Sequence, residues 1–210
     1  MSAVAQTEPP KSPTRQANEA VILQAAERVF AGAGYGGATM AMIAEAAGLP
    51  KANLHYYFGS KEDLYRAVLD QTLRDWLAPA DAISETADPR QALESYIRDK
   101  MRMSAQRPHA SKVFANELLH GAPVLSDLLK TTLRDMVNEK AAVIDGWIAA
   151  GRMAKVDSVN LFFSIWAATQ TYADFDVQIR AVMGQEELSE LDHKRATQHV
   201  VSLILRGCGL

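Results

Sequence analysis

Between Thr39 and Phe58 the chain reads TMAMIAEAAGLPKANLHYYF, two short helical patterns joined by Gly48-Leu49-Pro50. No other stretch restricts the fold so tightly. Helices this short are marginal alone in water, so the pair must pack against each other and against a larger body. Met40, Ile43, Ala44 and Ala47 recur at helical spacing and mark the inward side of the first. Thr39 is placed to cap it, and Gly48 permits a sharp exit. Leu49 can plug the corner, and Pro50 suits the first turn of the second helix, expected from Lys51 to about Tyr57. Small Ala44 lets the two cross closely, and Ile43, Ala47, Leu49, Leu54 and Phe58 can share a miniature core. Turning Leu54 and Phe58 inward displays Lys51, Ala52, Asn53, His55 and Tyr56.

Such a face suits a DNA major groove. Lys51 and Lys61 are matched to phosphates, as is the Thr39 hydroxyl at a helix N-terminus, where an anion is favoured. Tyr56 and Tyr57 can donate hydroxyls to phosphate and pack on sugars, while Asn53 and His55 can reach base edges. An ordinary helical hairpin with a solvated polar face is the alternative that these residues leave open. Bulk charge does not decide between them: 22% of the 210 residues are charged and the net charge is -3, so any nucleic-acid binding must come from a local patch.

The remaining chain is Ala-, Leu- and Met-rich between Gly and Pro punctuation, without strand-like alternation, so the expected class is all-α. A helix from Asn18 carries Val21, Ile22, Ala25, Ala26, Val29 and Phe30 on one stripe and should end in the loop AGAGYGG. Ser60, with Asp63 following, should cap a fourth helix reaching Leu77. Asp88-Pro89 opens the next, Pro108 breaks it, and ASKVFANELLH follows. Longer helices are expected from Pro123 to Ala150, from Asp157 to Met183 and from Glu187 to Arg206. The organisation expected is a disordered arm over 1–17, a three-helix head over 18–64 and a helical body over 65–210. Lys11 and Arg15 are the arm's only positive charges. One cysteine, Cys208, excludes a disulfide framework and fits a reducing, cytoplasmic setting; no apolar run reaches membrane-spanning length.

Within IWAATQTYADFDV, Trp166, Thr169, Gln170, Ala173, Asp174 and Val177 fall on one helical face. Polar groups on an inward face need a partner, since an unpaired one costs about 1–3 kcal/mol. Hydrogen bonds to neighbouring helices would supply it, and so would a ligand with planar polar edges lying on Trp166. Trp76 lines the same space or is ordinary core. Val200, Leu203 and Ile204 form an apolar stripe on the last helix, which suggests two-fold packing with a second copy. Glu117-x-x-His120 and Glu190-x-x-His193 have the spacing used in helical di-iron sites, but such a site also needs inward Glu residues from two more helices, and EELSELDHKR is polar on every side, so Glu190 and His193 are expected to face water. No metal, cofactor or catalytic constellation is expected.

The stretch ILQAAERVFAGAGYGGATMAMIAEAAGLPKANLHYYFGSKEDLYRAVL resembles the DNA-binding head of the TetR family. Thr39, Ile43-Ala44, Gly48-Leu49, Lys51, Leu54, Phe58 and Lys61-Glu62-Asp63-Leu64 match that family's pattern, with Pro50 where a small hydroxyl residue is usual and His55 where a Tyr is commoner. WLAPADAI, YIRDKMRMSAQRPHASKVFANELLHGAPVL and IWAATQTYADF are similar to the body of its pyrimidine-utilisation regulators. The resemblance implies a homodimeric repressor of double-stranded, palindromic operator DNA, released by uracil, thymine or a related heterocycle. Trp76, Trp166, Thr169, Gln170 and Asp174 are the expected effector residues. An effector-independent architectural factor is the alternative, and a helical di-iron enzyme a remoter one.

Overall fold

The computed structural model describes residues 13–210, which contain helices and turns and no strand. In chain order the helices are α1 (Pro13–Gly37), α2 (Met40–Ala47), α3 (Lys51–Phe58), α4 (Lys61–Leu77), α5 (Pro89–Gln106), α6 (Pro108–Leu119), α7 (Ser126–Leu128), α8 (Arg134–Ala149), α9 (Ser158–Asp174), α10 (Asp176–Met183) and α11 (Glu190–Gly207). The chain divides into two compact units, a head closing at Val68 and a body from Leu69 to Leu210. The division lies inside α4, a turn beyond the boundary expected at 64/65.

In the head, Ile22, Ala25, Ala26 and Phe30 of α1 are buried together with Met40, Ile43 and Ala44 of α2 and Leu54 of α3. Phe30, Tyr35 and Tyr65 add an aromatic wedge, with the Tyr65 ring 5.0 Å from Phe30 and 4.8 Å from Tyr35. Helix α1 begins at Pro13, so residues 13–17, expected in the arm, are helical; residues 1–12, including Lys11, lie outside the described residues. The expected loop AGAGYGG stays helical until Gly34, whose φ of 67° and ψ of 170° break the path.

The body core joins Leu93, Tyr96, Ile97 and Met101 of α5 to Phe162 and Ile165 of α9 and to Val200, Val201 and Leu205 of α11. Asp88 caps α5 by accepting from the Gln91 N–H at 3.0 Å, and Asp157 caps α9 by accepting from the Asn160 N–H at 2.9 Å. Two expected helices are subdivided, and a third starts later than expected. The stretch from Pro123 holds α7, a π-turn at Leu129–Leu133 and then α8. The helix expected from Asp157 to Met183 breaks at Phe175, where the flanking carboxylates are both held by α6: Asp174 by Ser111 and Asp176 by Lys112. Helix α11 starts at Glu190 because Ser189 and Asp192 form a capping box. The stripe expected from Val200, Leu203 and Ile204 is split, with Val200 buried beside Val201 and Leu205 while Leu203 is exposed. No helix among the described residues is long and apolar enough to cross a membrane.

Candidate nucleic-acid interface and effector site

Local chemistry sets the angle between α2 and α3. The Thr39 hydroxyl accepts from the Met42 N–H at 3.2 Å. At the other end Gly48 adopts φ 65°, ψ 29°, which lets the Leu49 N–H reach back to the Ala44 carbonyl at 3.0 Å. Helix α3 then buries Leu54 completely and Phe58 in part. Lys51, Ala52, His55 and Tyr56 are exposed and Asn53 is half-buried, so the face expected to read DNA is the one displayed. Tyr56 is 71% exposed. The His55 ring contacts the Gly59 carbonyl through Nδ1 at 2.7 Å. A carbonyl only accepts, so Nδ1 is the donor in that contact.

Two expected contacts are drawn inward instead. The Lys61 ammonium donates to the carbonyls of Tyr35 at 2.8 Å and Ala38 at 3.0 Å and lies 4.4 Å from the Tyr35 ring centroid. It closes the end of α1 rather than standing free for phosphate. Tyr57 is half-buried, and its hydroxyl accepts from the Asn18 side chain at 2.9 Å. Arg15, which sequence placed in the arm, sits 5.8 Å from the Tyr56 ring centroid and 5.9 Å from that of Tyr57.

In the body, α5 organises the expected effector residues. Its buried face carries Tyr96, Lys100 and Ser104 at successive turns. Trp166 donates through Nε1 to the Tyr96 hydroxyl at 2.7 Å, and one turn further the Lys100 ammonium lies 4.3 Å from the Trp76 ring centroid. Both tryptophans therefore meet one stripe of α5. Trp76 also packs on Phe114, with centroids 4.9 Å apart. Burial pushes the Tyr96 hydroxyl up to about 12, against the Trp166 hydrogen bond, so it stays neutral. Gln170 is half-buried, and its amide makes no hydrogen bond among the described residues. Asp174 accepts from the Ser111 hydroxyl at 2.5 Å; burial raises its carboxyl above the usual range, against that bond and the Lys112 charge. Thr169 departs from expectation: it is fully buried, and its hydroxyl donates to the Ile165 carbonyl of its own helix at 2.8 Å. Val177, expected on the same face, is 67% exposed beyond the break at Phe175. Ser104 lines a cleft of about 370 Å³ with Tyr172, Asp176, Arg180 and His193, and none of the five expected effector residues lines it.

Family models match both units. Residues 22–68 match the bacterial regulatory proteins of the tetR family, and residues 69–210 match the C-terminal region of YcdC-like protein. The HTH-type transcriptional regulator RutR of Escherichia coli K12 is 44% identical over 191 residues, covering 91% of this chain and 90% of the relative. The chain belongs to the TetR family. Another member, the HTH-type transcriptional repressor NicS of Pseudomonas putida, is 31% identical over 62% of the chain and 61% of the relative. Among solved structures, a tetR-family regulatory protein from Rhodococcus RHA1 aligns with a TM-score of 0.71 at 20% identity, over 93% of this chain and 97% of that one. PfmR from Thermus thermophilus aligns with a TM-score of 0.65 at 22% identity, over 88% and 97%. Those likenesses carry the fold.

As a TetR-family member the chain is a helix-turn-helix transcriptional regulator and not an enzyme. The Glu117 carboxylate is engaged structurally: it accepts from the N–H groups of Val124 at 2.6 Å and Leu125 at 3.1 Å, holding the turn after α6. The buried polar residue beside the tryptophans that sequence reasoning passed over is Lys100. Its signal was present, because it lies one turn from Tyr96 and on the stripe of Leu93, Ile97 and Met101.

Proposed function

We propose that this regulator is a cytoplasmic homodimeric repressor released from a palindromic operator by uracil, thymine or a closely related heterocycle. The observation that carries the effector reading is Gln170, a half-buried amide without a protein hydrogen bond, one turn along α9 from Trp166. A planar ring can stack on the indole while its alternating N–H and C=O edge pairs with the amide. Similarity to RutR over head and body alike supports extending the reading to the ligand class. On the DNA side, Asn53 and His55 reach base edges while Lys51, Tyr56 and the helix start at Thr39 contact the backbone. Exposed Phe163 of α9 and Leu203 of α11 supply apolar surface for pairing.

The switch runs through α4. Its first residue, Lys61, is tied into the head, and Trp76 near its end is tied into the body. An effector that favours one setting of this helix changes the spacing of the paired recognition helices, which DNA requires to be about 34–36 Å. A titration of the operator complex with uracil and thymine tests the reading. Release corresponding to a coupling of about 1–3 kcal/mol is expected. Operator affinity unmoved by either ligand rejects the effector assignment and leaves the DNA-binding regulator.

A further inference from the structure

We propose that Lys100 anchors the effector, donating to a carbonyl or ionised ring oxygen of a planar heterocycle lying along the Trp76–Trp166 side of α5. The inference deepens the pyrimidine reading above and rests on it. Lys100 is 3% exposed, yet its ammonium makes no hydrogen bond or ion pair among the described residues. Its ammonium lies on the face of Trp76, which attracts a cation but replaces none of the hydrogen bonds that water would make. The other buried lysine of the body differs: Lys140 donates to Glu139 at 2.9 Å. A buried charge is retained where something pairs with it, and three acids on the surrounding helices are engaged elsewhere, while Asp70 of α4 keeps a buried Oδ1 with no partner among the described residues. Asp75 of α4 is held by Arg107 and by Gln71, Asp99 of α5 by Arg102, and Asp174 of α9 by Ser111.

The open valence has a definite sign. Lys100 offers protons, and so does Tyr96 one turn before it: that hydroxyl accepts from Trp166, but its own proton meets no acceptor among the described residues. The stripe therefore asks for oxygens. Burial lowers the Lys100 ammonium to about 7, so an arriving anionic oxygen both satisfies it and favours its charged form. Uracil brings two neutral carbonyl oxygens. Barbiturate brings the same ring with a full negative charge. Cytosine replaces one of those oxygens with an amino group that donates, and a donor facing a donor is rejected.

Calorimetric titration of the full-length protein with uracil, barbiturate and cytosine tests the assignment, using wild type, Lys100→Met and Lys100→Gln. Methionine matches the stem in volume and removes an uncompensated buried charge, so the unliganded variant should melt no lower than wild type. The expected result is a loss of about tenfold or more in uracil affinity for Lys100→Met, with a larger loss for barbiturate. Lys100→Gln, which keeps a donor, should fall between. If the methionine variant does not fold, the glutamine variant gives the same comparison. Wild-type preference for cytosine, or uracil binding undiminished in the variants, overturns the role of Lys100 and leaves the proposed function standing. Wild-type protein that binds neither uracil nor barbiturate overturns both.

Discussion

Head and body treat their polar groups in opposite ways. In the head, three polar groups that approach the core are closed internally: Lys61 on two carbonyls, Tyr57 on Asn18, Thr39 on the first turn of α2. Lys51, His55 and Tyr56 are displayed on the outer face of α3. In the body enclosed groups stay open: Lys100 is buried and Gln170 half-buried, and Asp70 Oδ1 and Trp147 Nε1 are buried without a partner among the described residues. A surface that meets a polyanion rests on a largely closed interior, while the open donors Lys100 and Gln170 of the body are the groups that the proposed effector would satisfy.

The strongest test of that contrast is Leu54→Ala. Leu54 is fully buried in the head, and its truncation should cost about 2–5 kcal/mol. Operator binding should be lost at temperatures where uracil binding persists, with an early melting step belonging to the head. A single melting transition, with both activities lost together, would show that the two units do not stand apart.

Next comes the displayed aromatic. Tyr56→Ala removes a side chain that is 71% exposed, so stability should move by no more than about 0.5 kcal/mol. Operator affinity should nevertheless fall about 10–100-fold. Tyr57→Phe should do the reverse, losing the Asn18 bond at about 1 kcal/mol of stability with little change in affinity. Measured melting and gel-shift affinities that rank the two tyrosines the other way would reassign the reading face.

Those tyrosines also show what the sequence could and could not say. Thr39, Gly48, Asp88 and Asp157 were legible because a cap or a left-handed turn is decided within a few residues. Leu54 was legible because helical spacing alone places it inward. Lys61 was not, since the carbonyls it meets belong to Tyr35 and Ala38, brought close only by folding. Lys100 was legible in part: its spacing put it on the apolar stripe, but the ring beneath it comes from α4. The break at Phe175 depends on two carboxylates caught by α6, which nothing local announces.

A smaller effect separates two neighbours on α9. Gln170→Leu should weaken uracil binding about tenfold, the worth of one ligand hydrogen bond, without altering operator affinity in the absence of ligand. Thr169→Val should leave uracil binding unchanged, because the hydroxyl it removes is turned to the Ile165 carbonyl. Equal losses in calorimetry would mean that both side chains reach the ligand.

The smallest effect is a slope. Lys100 titrates at about 7 in the folded protein and near its ordinary 10.5 when unfolded. Between those values the unfolded chain holds a proton that the native chain has given up, so stability should rise with pH across that window. Below about 7 both states are charged and the burial penalty is present in full, so the slope should vanish. One proton limits the gain to about 1.4 kcal/mol per pH unit. Other groups titrate in the same range, so the quantity to measure is wild-type stability minus that of Lys100→Met, by denaturant melts from about pH 6 to about pH 10. The difference should be flat at first and then climb. Saturating uracil should flatten the climb by giving the ammonium an oxygen partner and returning its titration toward the ordinary range. A difference that is flat throughout would mean that Lys100 keeps its proton without ligand, and the open donor that sets body apart from head would have to be sought elsewhere.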